Sequence, residues 1–212
     1  MSKKKIRLDL VSDVVCPWCI IGYKRLERAL ELVADDIEVE LHWHPFELNP
    51  KMPLGGENLR DHLAAKYGTT KEGSFNARAE LTQIGANLGF RFDYFDEMKM
   101  FNTFKAHQLL HYARQFGKET ELKMRLFSAF FGERKVIDED AVLVTEAVAV
   151  GLDQAEAQAV LADERFAEAV RAEELEWVDM GIRSVPTFVF NRAQAVSGAH
   201  EPEKLAEFMR IV

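Results

Sequence analysis

The segment SDVVCPWCIIGYKRLERAL, Ser12 to Leu30, holds both cysteines of the chain, Cys16 and Cys19, separated by Pro17 and Trp18. Its pattern decides the fold. Upstream, Ile6, Leu8 and Leu10 alternate with Arg7 and Asp9 at the period of a strand, and Val11, Val14 and Val15 carry apolar character up to Cys16. Downstream the period changes, with Ile20, Tyr23, Leu26, Leu30 and Val33 recurring at three- and four-residue steps. Proline suits the first position of a helix, so a strand over about residues 5–11 and a helix from Pro17 to about Ala34 meet at Cys16.

Working outward, Ile37, Val39, Leu41 and Trp43 alternate with Glu38, Glu40, His42 and His44, which predicts a second strand over 37–44. A helix between two such strands implies a parallel pair joined by a crossover. From Met52 onward the period is helical for more than a hundred residues, with glycines at 68, 73, 89, 117, 132 and 151 as punctuation. Helices are expected near 57–67, 74–88, 102–116, 119–131, 138–149, 153–162 and 164–179, with no strand between them. Asp153 and Glu156 have the spacing of a capping box. Strand character returns at PTFVFNRAQAVSGA, where Phe188 and Phe190 precede an Asn-Arg turn and Ala195 and Val196 follow it, a hairpin pattern. Pro202, Leu205, Phe208 and Met209 mark a terminal helix. The expected architecture is α/β, with residues 1–48 and 164–212 forming one discontinuous domain and residues 49–163 a helical insertion.

Composition narrows the function. The 212 residues include 48% apolar types and 15 Phe, ample for a buried core, and carry a net charge of −8. That charge argues against nucleic acid or anionic membrane as partner, both of which call for clustered Lys and Arg. The opening MSKKKIRLDLV has the charge of a signal peptide, but Arg7, Asp9 and Asp13 break the apolar run that should follow. A cytoplasmic location is the expectation. There a permanent staple between two lone cysteines is disfavoured, and a closed loop so short restrains the unfolded chain little.

A Cys-x-x-Cys opening a helix after a strand suits redox chemistry. With Cys16 at the N-cap, its sulfur faces unpaired amides and the positive end of the helix dipole, which favour the thiolate. Cys16 is thus the expected low-pKa attacking thiol, and Cys19, one turn deeper, the resolving one. Pro17 fixes the turn. A zinc site built from both cysteines with His42 and His44 is disfavoured, because the strand face bearing the histidines need not point at Cys16, and solvent-facing positions explain them more simply. His107 and His111 have the i, i+4 spacing of a zinc-peptidase helix, but Gln108 stands where that chemistry needs a Glu base. No metal is expected. The aromatics Phe92, Tyr94, Phe95, Phe101 and Phe104 read as core.

CPWC after a strand, together with IRSVPTFVFN, resembles the DsbA-like branch of the thioredoxin superfamily. The resemblance implies a thioredoxin-like fold with a large all-helical insertion between the second strand and the C-terminal hairpin. It also implies that Pro186, preceded by Val185, forms a cis peptide against the active-site sulfurs, with Pro17 and Trp18 shaping the site. SDVVCPWCIIG, FNTFKAHQLLHYA and AVSGAHEPEKL further resemble the FrnE-like subfamily, related to 2-hydroxychromene-2-carboxylate isomerases and kappa-class glutathione transferases. Asn102 and His107 fall in the shared stretch and are candidates for a substrate cleft. The isomerase and transferase relatives carry Ser and Asp where this chain has Cys16 and His200, which weakens that reading.

The function expected is that of a disulfide oxidoreductase that reduces or isomerises client disulfides. Its partners are protein or small-molecule disulfides and an external thiol, with no cofactor beyond glutathione as a possible thiol substrate. The alternatives are glutathione-dependent isomerisation or conjugation of an aromatic small molecule, and a redox-sensing binding module without turnover.

Overall fold

The computed structural model describes residues 3–212. Strand β1 (Lys4–Ser12) leads into helix α1 (Pro17–Val33) and strand β2 (Ile37–Pro45), and the two strands pair in parallel with Leu8 opposite Leu41 and Leu10 opposite Trp43. The C-terminal strands β5 (Thr187–Phe190) and β6 (Gln194–Ser197) complete the sheet in the order β2-β1-β5-β6, with β5 antiparallel to β1. β1 is therefore central. Leu8, Leu10, Val11, Asp9 and Ser12 all have no exposed surface, because a strand covered on both faces buries successive residues rather than alternate ones.

The two faces are built differently. Leu10 lies opposite Phe188 and Leu8 opposite Phe190, placing four large apolar side chains on one face. Helix α1 and the terminal helix α9 (Pro202–Ile211) cover it, with the Phe190 and Phe208 ring centroids 6.3 Å apart. On the other face Val11 and Val189 form a cluster with Ile182 and the fully buried Trp177 of helix α8 (Ala167–Asp179). The hairpin turns at Asn191 and Arg192, whose φ values of 51° and 55° give the left-handed pair that matches strand twist. Asn tolerates this conformation, and its side chain is fixed by the Arg7 amide, which donates to Asn191 Oδ1 at 3.1 Å.

The chain divides into two compact units, the first ending at Phe46 and resuming at Arg171, the second spanning Glu47–Val170. The second boundary falls inside α8. The inner unit holds α2 (Leu59–Tyr67), α3 (Lys71–Asn87), α4 (Phe104–Arg114), α5 (Glu119–Glu133), α6 (Asp140–Ala149) and α7 (Gln154–Asp163). Its core includes Leu109, Leu122, Leu126, Phe127, Leu143 and Val160, none of them exposed. Of the expected aromatic group, Phe92 and Phe101 are buried, whereas Tyr94, Phe95 and Phe104 are only partly covered.

One expectation is corrected here. Strands do interrupt the helical block: β3 (Glu57–Asn58) and β4 (Lys99–Met100) pair antiparallel. Two residues are too few to display a period, so sequence alternation cannot reveal them. Capping resets several helix ends. Asn58 caps α2 by accepting from the amides of Arg60 and Asp61, and Thr70 starts α3 earlier than expected by accepting from Gly73. Asp153 does cap α7, taking the Glu156 amide at 2.9 Å. Among the described residues no helix is long and apolar enough to cross a membrane.

Candidate active site

Cys16 is the N-cap of α1, with extended backbone (φ −91°, ψ 113°), and Pro17 is the first helical residue. The turn into the helix is closed by two backbone bonds: the Cys16 amide donates to the Asp13 carbonyl at 3.2 Å, and the Cys19 amide to the Cys16 carbonyl at 3.0 Å. Both cysteines are free thiols. Cys19 has no exposed surface and Cys16 only 4%, so what access the pair has lies at Cys16, while the neighbouring Trp18 is 40% exposed.

The opposite wall comes from the other end of the chain. The Val185–Pro186 peptide is cis, as the sequence resemblance implied. The Cys16 thiol donates to the Val185 carbonyl, with Sγ 3.6 Å from the oxygen. Pro186 is buried, and its own carbonyl accepts from the Gly198 amide at 2.8 Å. Thr187 pins the same segment, its hydroxyl donating to the Ser184 carbonyl at 2.7 Å and meeting the Ser197 hydroxyl at 2.8 Å. This wall is thus positioned by the β5–β6 pair rather than by local sequence.

Gly22, in the second turn of α1, lets helix and wall meet. A Cβ there would lie 3.0 Å from Pro186 Cγ and 3.3 Å from Phe188 Cζ. Gly22→Ala is expected to leave the fold intact at a cost of roughly 1–3 kcal/mol from overpacking. Because the nearest atom displaced belongs to Pro186, thiol–disulfide exchange should slow along with it. Chemical denaturation and exchange kinetics on the same samples check this, and exchange at the wild-type rate would show that Pro186 had not moved.

The electrostatics of the pair differ from expectation. Cys16 was expected to be a lowered thiol, yet its sulfur makes no capping hydrogen bond. Its pKa is instead pushed well above the usual range, first by the hydrogen bond with the Cys19 side chain, then by burial, with smaller contributions from charge on Cys19 and Asp13. The Cys19 amide pulls the other way but does not prevail. Two enclosed sulfurs in contact share protons, and a like charge beside a buried thiolate opposes ionisation.

The remaining candidates have partners of their own. Asn102 donates to the Met52 carbonyl at 3.0 Å and accepts the Phe104 amide at 2.9 Å, so its amide group ties backbone together at the start of α4. His107, on α4, is 2% exposed, and the His111 ring lies 4.9 Å from that of Phe166. These residues belong to the inner unit, not to the one carrying Cys16. His200 bonds the Ser197 carbonyl at 2.9 Å. His42 is partly exposed and pairs with Glu40 at 3.0 Å.

His44 corrects the sequence reading outright. Rather than facing solvent, it is buried between two carboxylates, with Nε2 2.7 Å from Asp9 and Nδ1 2.5 Å from Glu173. Asp9 also takes Arg7, whose Nη2 approaches to 2.6 Å and whose Nε lies 3.0 Å from both carboxylate oxygens. The signal was present in the sequence, since a carboxylate inside IRLDLV demands a charged partner wherever that strand is covered on both faces. The partner could not be read, because Glu173 is 129 residues from His44.

A strand and helix that bring a Cys-x-x-Cys pair against a cis-proline segment form an arrangement of the thioredoxin class. The model of the DsbA-like thioredoxin domain matches residues 7–210, and the chain belongs to that family. It is 35% identical to a probable DsbA oxidoreductase from Streptomyces coelicolor, covering 96% of this chain and 88% of that one with a TM-score of 0.91. The uncharacterized protein YwbO of Bacillus subtilis is 28% identical over 185 residues, 87% of this chain and 86% of its own. The cytosolic disulfide reductase DsbM of Pseudomonas aeruginosa shares the fold at 19% identity and a TM-score of 0.64, over 96% of this chain and 97% of its own, and also has a structure with GSH.

Proposed function

We propose that the protein is a FrnE-like thiol-disulfide oxidoreductase that works in the cytoplasm, with Cys16 as attacking sulfur, Cys19 as resolving sulfur, and Val185 and Pro186 as the wall that aligns the substrate disulfide. The observation that carries this reading is the Cys16 thiol at the start of α1, 3.6 Å from the Val185 carbonyl and with Cys19 enclosed behind it. Cys16, as thiolate, attacks one sulfur of the substrate disulfide. A mixed disulfide forms and the other substrate sulfur leaves as a thiolate. Cys19 then attacks Cys16, closing the Cys16–Cys19 disulfide and releasing the second substrate thiol. Two electrons have passed to the substrate, and two equivalents of an external thiol of the glutathione class restore the dithiol. No metal or organic cofactor enters these steps.

The test is a trap. With Cys19→Ala, resolution by the enzyme is lost, so clients should accumulate disulfide-linked to Cys16 and be released by dithiothreitol. If no Cys16-linked species forms with any protein or glutathione disulfide, the reading fails.

The direction of electron flow follows from the thiolate. Whatever stabilises the Cys16 thiolate raises the reduction potential, at about 1.4 kcal/mol per 30 mV for this two-electron couple. Here burial and Cys19 oppose the thiolate, and Trp18 offers no cation. The potential is expected within about −120 to −270 mV and away from the oxidising end, which favours reduction or isomerisation over disulfide formation. Equilibration against glutathione buffers measures it, and a value near −120 mV would reverse the direction.

A further inference from the structure

Asp9, His44 and Glu173 form an enclosed charge cluster in the first unit, with Arg7 at its edge, and no step of the exchange chemistry uses it. Asp9 has no exposed surface, and the side chains of His44 and Glu173 are 8% and 13% exposed. An imidazole with a carboxylate at each nitrogen is held as imidazolium, since only that form donates from both nitrogens. Burial alone would lower the pKa of His44, but the hydrogen bonds and charges of Asp9 and Glu173 together raise it from 6.5.

The cluster is mechanically linked to the thiol site. The His44 ring lies 4.5 Å from that of Trp177, one turn beyond Glu173 on α8. Trp177 packs in the cluster with Val11, Ile182 and Val189, and Phe46 and Val185 lie against that cluster. Val185 in turn supplies the carbonyl that receives the Cys16 thiol. One run of packed side chains therefore leads from the charge cluster to the carbonyl that accepts from the Cys16 thiol.

We propose that His44 is a positioning residue for the Cys16 thiol. As imidazolium it binds Asp9 of β1 and Glu173 of α8 together, seats Trp177 under Val185, and thereby keeps the Val185 carbonyl in place against Cys16. Loss of its proton breaks one of the two bonds, loosens that seat, and frees the thiol from its acceptor. The site so acquires a proton-linked control separate from the titration of its own sulfurs. Near His44, Arg7 of β1 shares Asp9, Glu40 and His42 lie on the same face of β2, and Glu176 of α8 and Arg192 of the hairpin turn pair beside Trp177. Arg192 pairs with Glu176 and lies 4.9 Å over the Trp177 ring. The proposal deepens the oxidoreductase reading and rests on it for its functional meaning.

The test is alkylation of Cys16 by iodoacetamide in the full-length reduced chain, read by peptide mass, between roughly pH 5 and 9. Wild type should show a step in the Cys16 rate where His44 deprotonates, superimposed on the rise due to the thiol itself. In His44→Gln the step should vanish, and at low pH Cys16 should react roughly three- to tenfold faster than in wild type, the range expected for coupling through packed side chains. Glu173→Gln keeps the His44–Asp9 pair, so there the step should move to lower pH rather than disappear. It also carries the test if His44→Gln does not fold. Wild-type and variant profiles that superimpose in folded proteins would overturn the proposal, as would slower reaction at low pH. Alkylation needs no turnover, whereas failure of wild type to reduce insulin or glutathione disulfide would count against the oxidoreductase reading alone.

Discussion

Replacing Cys16 by serine is expected to abolish turnover of disulfide substrates, lowering the rate by roughly a thousandfold or more, while leaving the structure unchanged. The substitution keeps the size of the side chain and its hydrogen-bonding capacity toward the Val185 carbonyl, so helix α1 and the site wall should stay where they are. It removes the only sulfur of the pair that retains any access, since Cys19 has no exposed surface. A serine oxygen cannot form the mixed disulfide through which every exchange must pass. Insulin or glutathione disulfide reduction, with circular dichroism as a control, decides the matter. Activity within about tenfold of wild type would mean that Cys19 or another group does the attacking.

The second large effect concerns stability. Asp9→Asn should cost about 3 kcal/mol, the lower end of what breaking a buried ion pair costs, because it strips a carboxylate from between Arg7 and His44. The lower end applies because the Arg7 side chain is 38% exposed and His44 keeps Glu173. The pH dependence has a definite sign on each side. Burial would raise the Asp9 pKa, but the hydrogen bonds and charges of His44 and Arg7 together hold it at about 2, below its ordinary 3.8. A carboxylate lowered on folding contributes its stability above 3.8, and that contribution is lost as pH falls through about 2. His44 is raised, so its contribution is complete below 6.5 and is lost as pH rises through the raised value. The cluster should therefore stabilise most between about pH 4 and 6.5. Urea titrations across pH should show Asp9→Asn losing stability mainly in that window. An equal loss at every pH would show that packing, not charge, is what the substitution disturbs.

Much of this protein was legible in order along the chain. Alternation over Ile6–Leu10 and Ile37–Trp43, a helical period beginning at Pro17, and the Asn-Arg turn before Ala195 are local properties, each set by which face a residue must bury. They place a parallel strand pair, a crossover helix with two cysteines at its start, and a closing hairpin. The capping residue Asp153 could be read for the same reason, since a side chain three residues from the amide it receives needs nothing else in the fold.

What the sequence by itself determined is therefore the order of the long elements, the position of Cys16 at a helix start and the α/β class, because these depend on contacts between residues near in sequence or on strong apolar periodicity. Only the tertiary structure decided the rest. The strands of Glu57–Asn58 and Lys99–Met100 exist because distant segments meet, and two residues hold no period. Cys16 is a raised rather than a lowered thiol because folding sets it against the Cys19 side chain and buries it, and both oppose the thiolate. His44 is a buried imidazole with a raised pKa rather than a surface one because Asp9 and Glu173 close on it from another strand and from a helix near the far end of the chain. The sign of a titratable group's shift is set by what surrounds it in space, and a linear pattern carries no record of neighbours that only folding brings together.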